Sequence, residues 1–178
     1  MDGPDALTEA LARVRLVALD VDGTLTEGRV TYIGSQELMS FCARDGQGLR
    51  WLSDRGVRIA WITGRGCEAT VRRANELGID ELRRGGSKET HLREIQGNFD
   101  IDPEETLAMG DDLPDLGLAR AAGIFCAPCD AAAEVRERAD LITRAAGGRG
   151  AVREIAEMLL RAKGLWEEGV GPREPEGA

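Results

Sequence analysis

RLVALDVDGT (residues 15–24) is a short apolar run that ends in acidic residues. Uninterrupted apolar residues are typical of a strand buried on both faces, as the strands of a parallel sheet are. Asp20 and Asp22 follow where such a strand would end. Parallel α/β sheets place their binding sites at the carboxyl ends of their strands. This stretch therefore predicts both a central strand and a functional site.

Similar apolar runs recur along the chain, separated by segments with helical periodicity. The other strand candidates are residues 57–63, 106–109 and 123–126, with weaker ones at Leu82 and residues 141–143. The helix candidates are residues 46–55, 67–77, 88–96, 131–139 and 151–163, and Asp102-Pro103 is a typical helix start. This alternation predicts an α/β fold, a doubly wound parallel sheet of Rossmann-like type with helices on both faces.

Residues 29–42 break the alternation, because they are too few for a strand and a crossover helix. Gly34-Ser35 in their middle predicts the turn of a projecting β-hairpin. Tyr32, Met39 and Phe41 would then be exposed on a monomer, and exposed apolar groups usually mark an interface. The hairpin either folds back on its own domain or forms a subunit contact, and we favour the subunit contact.

Composition limits the possible classes of protein. The chain has 178 residues, of which 42% are hydrophobic, which predicts one domain over residues 1–166 and a disordered Gly-, Pro- and Glu-rich tail over residues 167–178. A net charge of -9 argues against nucleic acid or anionic membrane as a partner. We see neither an apolar run of ~20 residues nor a secretion signal, and the four cysteines fit a reduced cytoplasmic location.

Polar residues follow four of the predicted strands and carry the candidate chemistry. They are Asp20 and Asp22, Thr63, Lys88 and Asp111. Carboxylates crowded at one sheet edge repel one another unless a cation lies among them, and oxygen ligands suit Mg²⁺. Asp20 and Asp111 would supply carboxylate oxygens and Asp22 its backbone carbonyl. Because Mg²⁺ bound in this way usually also takes a substrate phosphate, the set predicts phosphoryl chemistry.

Each of these residues has a candidate role in that chemistry. Asp20 would attack phosphorus and form an aspartyl-phosphate, and Asp22 would act as general acid and then as general base. The Thr63 hydroxyl would hold the phosphoryl oxygens, and Lys88 would neutralise their charge. A lone Asp-x-Asp is more often a turn or a helix cap, but the order of all these residues after successive strands makes that explanation poor.

The motifs resemble those of the haloacid dehalogenase superfamily of phosphohydrolases. The matching pieces are DVDGT at 20–24, TGR at 63–65, Lys88 and GDDLPD at 110–115. Further pieces narrow the resemblance to the 3-deoxy-D-manno-octulosonate 8-phosphate phosphatases. These are the hairpin, RDGQG at 44–48, Arg73 with LGI at 77–79, and GGRGAVRE at 147–154. The resemblance covers about Arg15 to Lys163.

The resemblance implies a Mg²⁺-dependent phosphatase without a cap domain, acting on a phosphorylated 2-keto-3-deoxy sugar acid. It also implies a homotetramer, in which the hairpins build the central contact and a neighbouring subunit helps to close the site. Metal binding carries over to Asp20, Asp22 and Asp111. Substrate contacts carry over to Asp22, Cys42, Ala43, Arg44, Asp45, Gly46, Arg50, Arg65, Arg73 and Lys88.

Three other functions stay open at the level of sequence. A nonulosonate 9-phosphate phosphatase would use the same chemistry on a different sugar. A phospho-receiver module would store a phosphoryl group on aspartate, but Asp22 placed two residues after Asp20 favours turnover over storage. A non-catalytic oligomerisation partner would not need an intact set of Asp20, Asp22, Lys88 and Asp111.

Overall fold

The apolar run quoted above forms the central strand of a six-stranded sheet, in a computed structural model that describes residues 6–166. The strands are β1 (Leu16–Leu19), β2 (Thr31–Ile33), β3 (Gln36–Leu38), β4 (Arg58–Thr63), β5 (Glu81–Arg84), β6 (Thr106–Met109), β7 (Ile124–Ala127) and β8 (Leu141–Ile142). The sheet has the order β5-β4-β1-β6-β7-β8, and all its neighbouring strands are parallel. This places the ends of β1 and β6 side by side.

Helices cover both faces of this sheet. They are α1 (Ala6–Arg13), α2 (Ala43–Ser53), α3 (Glu68–Leu77), α4 (Lys88–Phe99), α5 (Leu116–Ala119), α6 (Ala133–Arg138) and α7 (Ala151–Ala162). Val17 and Leu19 of β1 pack in the cluster with α2 and α7, whereas Leu16 and Ala18 pack in the cluster with α4 and α5. Because both faces are covered, β1 is buried throughout. The predicted α/β fold with a doubly covered parallel sheet is confirmed.

The hairpin prediction is confirmed, but two of its expected exposures are wrong. β2 and β3 pair antiparallel around Gly34, and the side chains of Tyr32 and Ile33 are each 64% exposed. Met39 and Phe41 are half-buried instead. The Phe41 ring stacks on Trp61 with ring centroids 6.0 Å apart. β3 ends at Leu38, so the residues after it return to the core of their own domain.

Two further features differ from the sequence-based expectations. Asp102-Pro103 begins only a 3-10 turn, Pro103–Glu105, because β6 follows at once from Thr106. Helix α1 was not predicted, and Leu11 is its one fully buried residue among those described.

The predicted domain limits are untested, since residues 167–178, predicted as a tail, lie outside the described residues. None of the helices within residues 6–166 is both long enough and apolar enough to cross a bilayer.

Candidate active site

Lys88 joins two carboxylates at the carboxyl edge of the sheet. It is the first residue of α4, and its Nζ donates hydrogen bonds to Oδ1 of Asp20 and to Oδ1 of Asp115. Asp20 directly follows β1, and Asp115 ends a 3-10 turn (Leu113–Asp115) after β6. All three side chains are less than a tenth exposed. The ammonium is therefore the counter-ion of a buried carboxylate pair.

Asp111 lies beside this group and is held by two neighbours. The Thr24 hydroxyl donates to Asp111 Oδ1 over 3.2 Å. The other oxygen, Oδ2, faces Gly23, where an added Cβ would lie only 2.1 Å away. Gly23 also has a φ of +99°, which favours glycine. The loop after β1 therefore passes so close to Asp111 that only glycine fits at position 23.

The pKa values show that this cluster lacks positive charge. Burial, reinforced by Asp115, raises the pKa of Asp20 well above its ordinary value although Lys88 opposes this. Burial and Asp115 also raise the pKa of Asp111 to about 6. Burial alone would lower the pKa of Lys88, but Asp20 and Asp115 together raise it above its ordinary value. Lys88 stays charged, and the carboxylates still favour a further cation.

The residues present fit a small divalent cation. One oxygen each from Asp20, Asp111 and Asp115 lie within 4.8 Å of one another. Asp115 is already occupied, because its Oδ2 accepts from the backbone N–H groups of Asp111 and Asp112, at 2.9 and 3.1 Å. Lys88 donates to only one oxygen of Asp20, and Thr24 donates to only one oxygen of Asp111, so each carboxylate has a second oxygen outside these two hydrogen bonds. A pair of carboxylate oxygens is what Mg²⁺ usually takes from a protein.

Thr63 lies against Asp22 on the other side of the loop. Its hydroxyl donates to Asp22 Oδ2 over 3.1 Å and accepts from the backbone N–H of Arg65, also over 3.1 Å. Thr63 is buried at the end of β4, whereas Asp22 is half-buried. The candidate general acid is therefore held by the residue predicted to hold phosphoryl oxygens.

Arg65 connects this loop to the hairpin. Its guanidinium donates to Glu37 of β3 over 2.9 Å. Hydrogen bonds with Glu37 and Tyr32, together with the charge of Glu37, raise the pKa of Arg65 above its ordinary value, and the charge of Asp22 adds to this. The guanidinium thus contacts the hairpin, and its position lets the charge of the candidate acid act on it.

Two other predicted substrate residues meet between α2 and α3. Arg50 donates to the Glu76 carbonyl over 2.8 Å, and Arg73 donates to the Glu76 carboxylate over 3.3 Å. The Arg73 guanidinium also lies over Gly46, where an added Cβ would come within 2.5 Å of a guanidinium nitrogen. Its Nε is buried without a hydrogen-bond partner in the described part of the chain.

Comparison with known proteins decides the family. A model of haloacid dehalogenase-like hydrolases matches residues 79–155. The 3-deoxy-D-manno-octulosonate 8-phosphate phosphatase KdsC of Escherichia coli K12 is 40% identical over 161 residues, 89% of this chain and 85% of the relative. KdsC of Yersinia pestis is 37% identical over 170 residues, 94% of this chain and 90% of the relative. The chain belongs to the 3-deoxy-D-manno-octulosonate 8-phosphate phosphatase family.

A solved structure supports the same assignment of this phosphatase. The Moraxella catarrhalis 3-deoxy-D-manno-octulosonate 8-phosphate phosphatase, in complex with magnesium ion, phosphate ion and a KDO molecule, matches with a TM-score of 0.86 and 36% identity. The match covers 89% of this chain and 92% of that one. The resemblance found in the sequence is confirmed, and so is the prediction of a phosphoric monoester hydrolase. The roles of individual residues stay predictions.

One residue of the phosphatase site was missed by sequence reasoning. Asp115 was part of the quoted GDDLPD motif but was given no role. Its carboxylate binds Lys88 through Oδ1 and two backbone amides through Oδ2, so it fixes the loop that carries Asp111. The available signal was a third acid after β6, at a spacing of one turn from Asp111.

The remaining predicted contacts of the phosphatase lie at the start of α2. Cys42 precedes the helix as its N-cap residue and is half-buried, and Ala43 and Arg44 are exposed. Asp45 is different, because it is only 1% exposed. Both its carboxylate oxygens accept backbone N–H groups at the start of α7.

Proposed function

We propose that this chain is a Mg²⁺-dependent phosphatase that hydrolyses 3-deoxy-D-manno-octulosonate 8-phosphate through an aspartyl-phosphate on Asp20. The observation that carries the proposal is the close approach of the carboxylates of buried Asp20 and half-buried Asp111 beside Lys88, where the raised pKa values of both acids favour a cation. Bound Mg²⁺ would neutralise the carboxylates and polarise the phosphoryl group. The names of the curated relatives supply the substrate, and the Moraxella complex supports the metal.

The reaction would divide into two displacements at phosphorus. An oxygen of Asp20 attacks, the bond between phosphorus and the sugar oxygen breaks, and Asp22 gives its proton to that oxygen, which departs as a hydroxyl group of the sugar. Asp22 then takes a proton from water, which attacks the aspartyl-phosphate, releases phosphate and restores the Asp20 carboxylate. The Thr63 hydroxyl, 3.1 Å from Asp22, would orient that acid, and the Lys88 ammonium that contacts Asp20 would offset the negative charge of the phosphoryl group.

The substrate carries a carboxylate as well as a phosphate, and the chain offers arginines for both. Planar guanidinium groups match the geometry of both anions. The charge of Asp22 acts on Arg65. Arg50 and Arg73 meet at Glu76 of α3, and the Arg73 guanidinium lies over Gly46 in the first turn of α2. We assign substrate contacts to these arginines and to residues 42–44 and 46. A nonulosonate 9-phosphate would present the same two anions, so the sugar is an outcome for experiment.

We further propose a homotetramer of single, capless domains that meet through their hairpins. The support is the exposed apolar side chains of Tyr32 and Ile33 and the contact between Glu37 and Arg65, which links the hairpin to the site. In such an assembly a neighbouring subunit would close the site in place of a cap. The cytoplasmic location stays a prediction from the sequence.

The decisive experiment measures phosphate release from the eight-carbon and nine-carbon sugar-acid phosphates, with Mg²⁺ or with a chelator. We expect the eight-carbon substrate to be preferred, the chelator to stop turnover, and Asp20→Asn to lower kcat by about 10³-fold or more. Asp54→Asn, at the exposed end of α2, serves as a control with unchanged activity.

Four results would count against parts of this proposal. Preference for the nine-carbon substrate would assign a different sugar to the site. Turnover in the presence of the chelator would exclude Mg²⁺ from the mechanism. Near-normal activity of folded Asp20→Asn would show that Asp20 is not the nucleophile. A phosphorylated protein that persists for hours would favour the receiver module.

A further inference from the structure

The segment of residues 147–150, here called the buttress segment, packs against the loop after β1. We call residues 20–27 the catalytic loop, because it carries Asp20 and Asp22. The backbone N–H of Gly148 donates to the Thr24 carbonyl over 2.9 Å. A Cβ added at Gly147 would lie 1.7 Å from the Gly23 carbonyl oxygen. The two backbones therefore touch at a distance that only glycine permits.

Gly23 lies between this segment and Asp111. On one side the Gly23 carbonyl oxygen occupies the place that a Cβ on Gly147 would need, and on the other side the Asp111 carboxylate occupies the place that a Cβ on Gly23 would need. Asp111, Gly23 and Gly147 form a contiguous stack. A shift of the buttress segment would therefore change the spacing between the catalytic loop and Asp111.

The buttress segment is held at both ends by carboxylates from other elements. Asp130 accepts the Gly147 N–H over 2.9 Å. At the other end Asp45 of α2 accepts the N–H groups of Gly150 over 3.3 Å and Arg153 over 2.8 Å. Gly150 is the N-cap residue of α7 and has no side chain to cap that helix. Asp45 thus supplies from α2 the cap that α7 lacks.

We propose that Asp45 is a positioning residue for phosphoryl transfer, which acts through the buttress segment on the catalytic loop. The expected change in kcat rests on the proposed phosphatase function. Both oxygens of the Asp45 carboxylate already accept hydrogen bonds from backbone amides of the protein. We therefore assign Asp45 this positioning role in place of the substrate contact that the sequence predicted for its side chain.

Loss of the Asp45 carboxylate would disturb the buttress segment first. Asp45 is buried, and burial raises its pKa while the amides of Arg153 and Gly150 oppose this. Without the carboxylate, two N–H groups at the start of α7 lose their acceptor, and the negative charge that complements the helix dipole is gone. The segment would move towards other acceptors, and the catalytic loop in contact with it would move too.

Steady-state kinetics on two substrates separates positioning from substrate contact. The variants are Asp45→Ala and Asp45→Asn, with Asp54→Asn on the same helix as the control. We expect Asp45→Ala to lower kcat by about 10- to 100-fold for both 3-deoxy-D-manno-octulosonate 8-phosphate and p-nitrophenyl phosphate, with little change in KM. Asp45→Asn keeps one acceptor for Arg153 and should recover part of kcat.

Two kinetic results would overturn the proposal. An unchanged kcat in folded Asp45→Ala, or in Asp45→Asn where the alanine variant does not fold, would mean that the carboxylate does not position the loop. A rise in KM for the sugar-acid phosphate alone, with normal hydrolysis of p-nitrophenyl phosphate, would mean that Asp45 contacts the substrate. Hydrolysis of p-nitrophenyl phosphate does not depend on the sugar, so a wrong substrate would not affect this test.

Hydrogen exchange tests the same contact without any turnover. With Mg²⁺ present, amides of residues 20–27 should exchange faster in Asp45→Ala than in the wild type or in Asp54→Asn. Faster exchange confined to residues 147–160 would show a merely structural role in α7 and would overturn the proposal. If Asp45→Ala does not fold, Asp45→Asn carries the same comparison.

Discussion

Among single residues, Lys88 supplies a positive charge to the acidic cluster of Asp20, Asp111 and Asp115. Its ammonium contacts Asp20 and Asp115, both buried. In metal-free protein at neutral pH, Lys88→Met would leave these carboxylates without their counter-ion, and breaking such a buried contact costs about 3–5 kcal/mol. We expect urea denaturation to show this loss of unfolding free energy, and Mg²⁺ to restore part of it.

Lys163→Met is the matched control for that measurement. Lys163 donates to the Ala12 carbonyl over 2.8 Å and contacts no carboxylate cluster within residues 6–166. Its replacement should cost only about 1 kcal/mol and should not respond to Mg²⁺. Equal losses in the two variants would show that Lys88 does not hold the acidic cluster together.

Asp111 makes Mg²⁺ binding depend on pH. Its pKa rises from 3.8 to about 6 on folding without metal, because burial and Asp115 disfavour its charge. The folded protein then binds the proton more tightly than the unfolded chain, so this contribution to stability is present at low pH and is lost as the pH rises through about 6. Mg²⁺ competes with that proton, so its binding should strengthen over the same range.

Thermal unfolding with and without Mg²⁺ measures this competition. We expect the rise in Tm on adding Mg²⁺ to be small at pH 5 and clearly larger at pH 7.5. Comparing the two curves at each pH removes the contribution of other titrating groups. An equal rise at both values would show that Asp111 is not a ligand with a raised pKa.

Sequence reasoning found the residues whose position follows from the strands. Asp20 and Asp111 come directly after buried apolar runs, and parallel strands bring such positions together. Asp115 and Asp45 could not be found in this way. Asp115 reaches Lys88 only because a 3-10 turn folds back, and Asp45 reaches α7 only because two helices distant in sequence pack together. Both contacts depend on tertiary structure.

At the scale of elements, Phe41 fastens the end of the hairpin to the core. Its half-buried ring stacks on Trp61 of β4, and Phe41→Ala would remove this contact and leave a gap against the sheet. We expect a loss of about 2 kcal/mol in unfolding free energy, less than for a fully buried ring. Ile142→Ala, at an exposed position of β8, should change stability by less than about 0.5 kcal/mol.

The same contact explains why the sequence misplaced this segment. Gly34-Ser35 in the middle of residues 29–42 predicts the turn between β2 and β3, but it does not tell where the hairpin ends. Met39 and Phe41 lie beyond β3, and Met39 accepts from the Thr70 hydroxyl of α3 over 3.0 Å. The strands of the main sheet were easier to find, because burial on both faces leaves long apolar runs.

Within residues 6–166, the hairpin and its flank form an apolar surface, spread over both faces of the hairpin, that the core of the domain does not use. Val30, Tyr32, Ile33 and Leu38 are exposed on and beside the hairpin. A second copy of this surface would cover them, as the homotetramer prediction requires. The hairpin also contacts Arg65 through Glu37, so assembly and catalysis would share one element.

The double variant Ile33→Ser with Leu38→Ser tests this link, since it removes apolar area but keeps Tyr32 and Glu37. We expect light scattering after gel filtration to show a species smaller than the wild type. Phosphate release should fall as well, because no neighbouring subunit would close the site. Ile142→Ser, exposed on β8 at the edge of the main sheet, is the control and should keep the wild-type mass. A double variant with the mass of the wild type would place the assembly interface elsewhere.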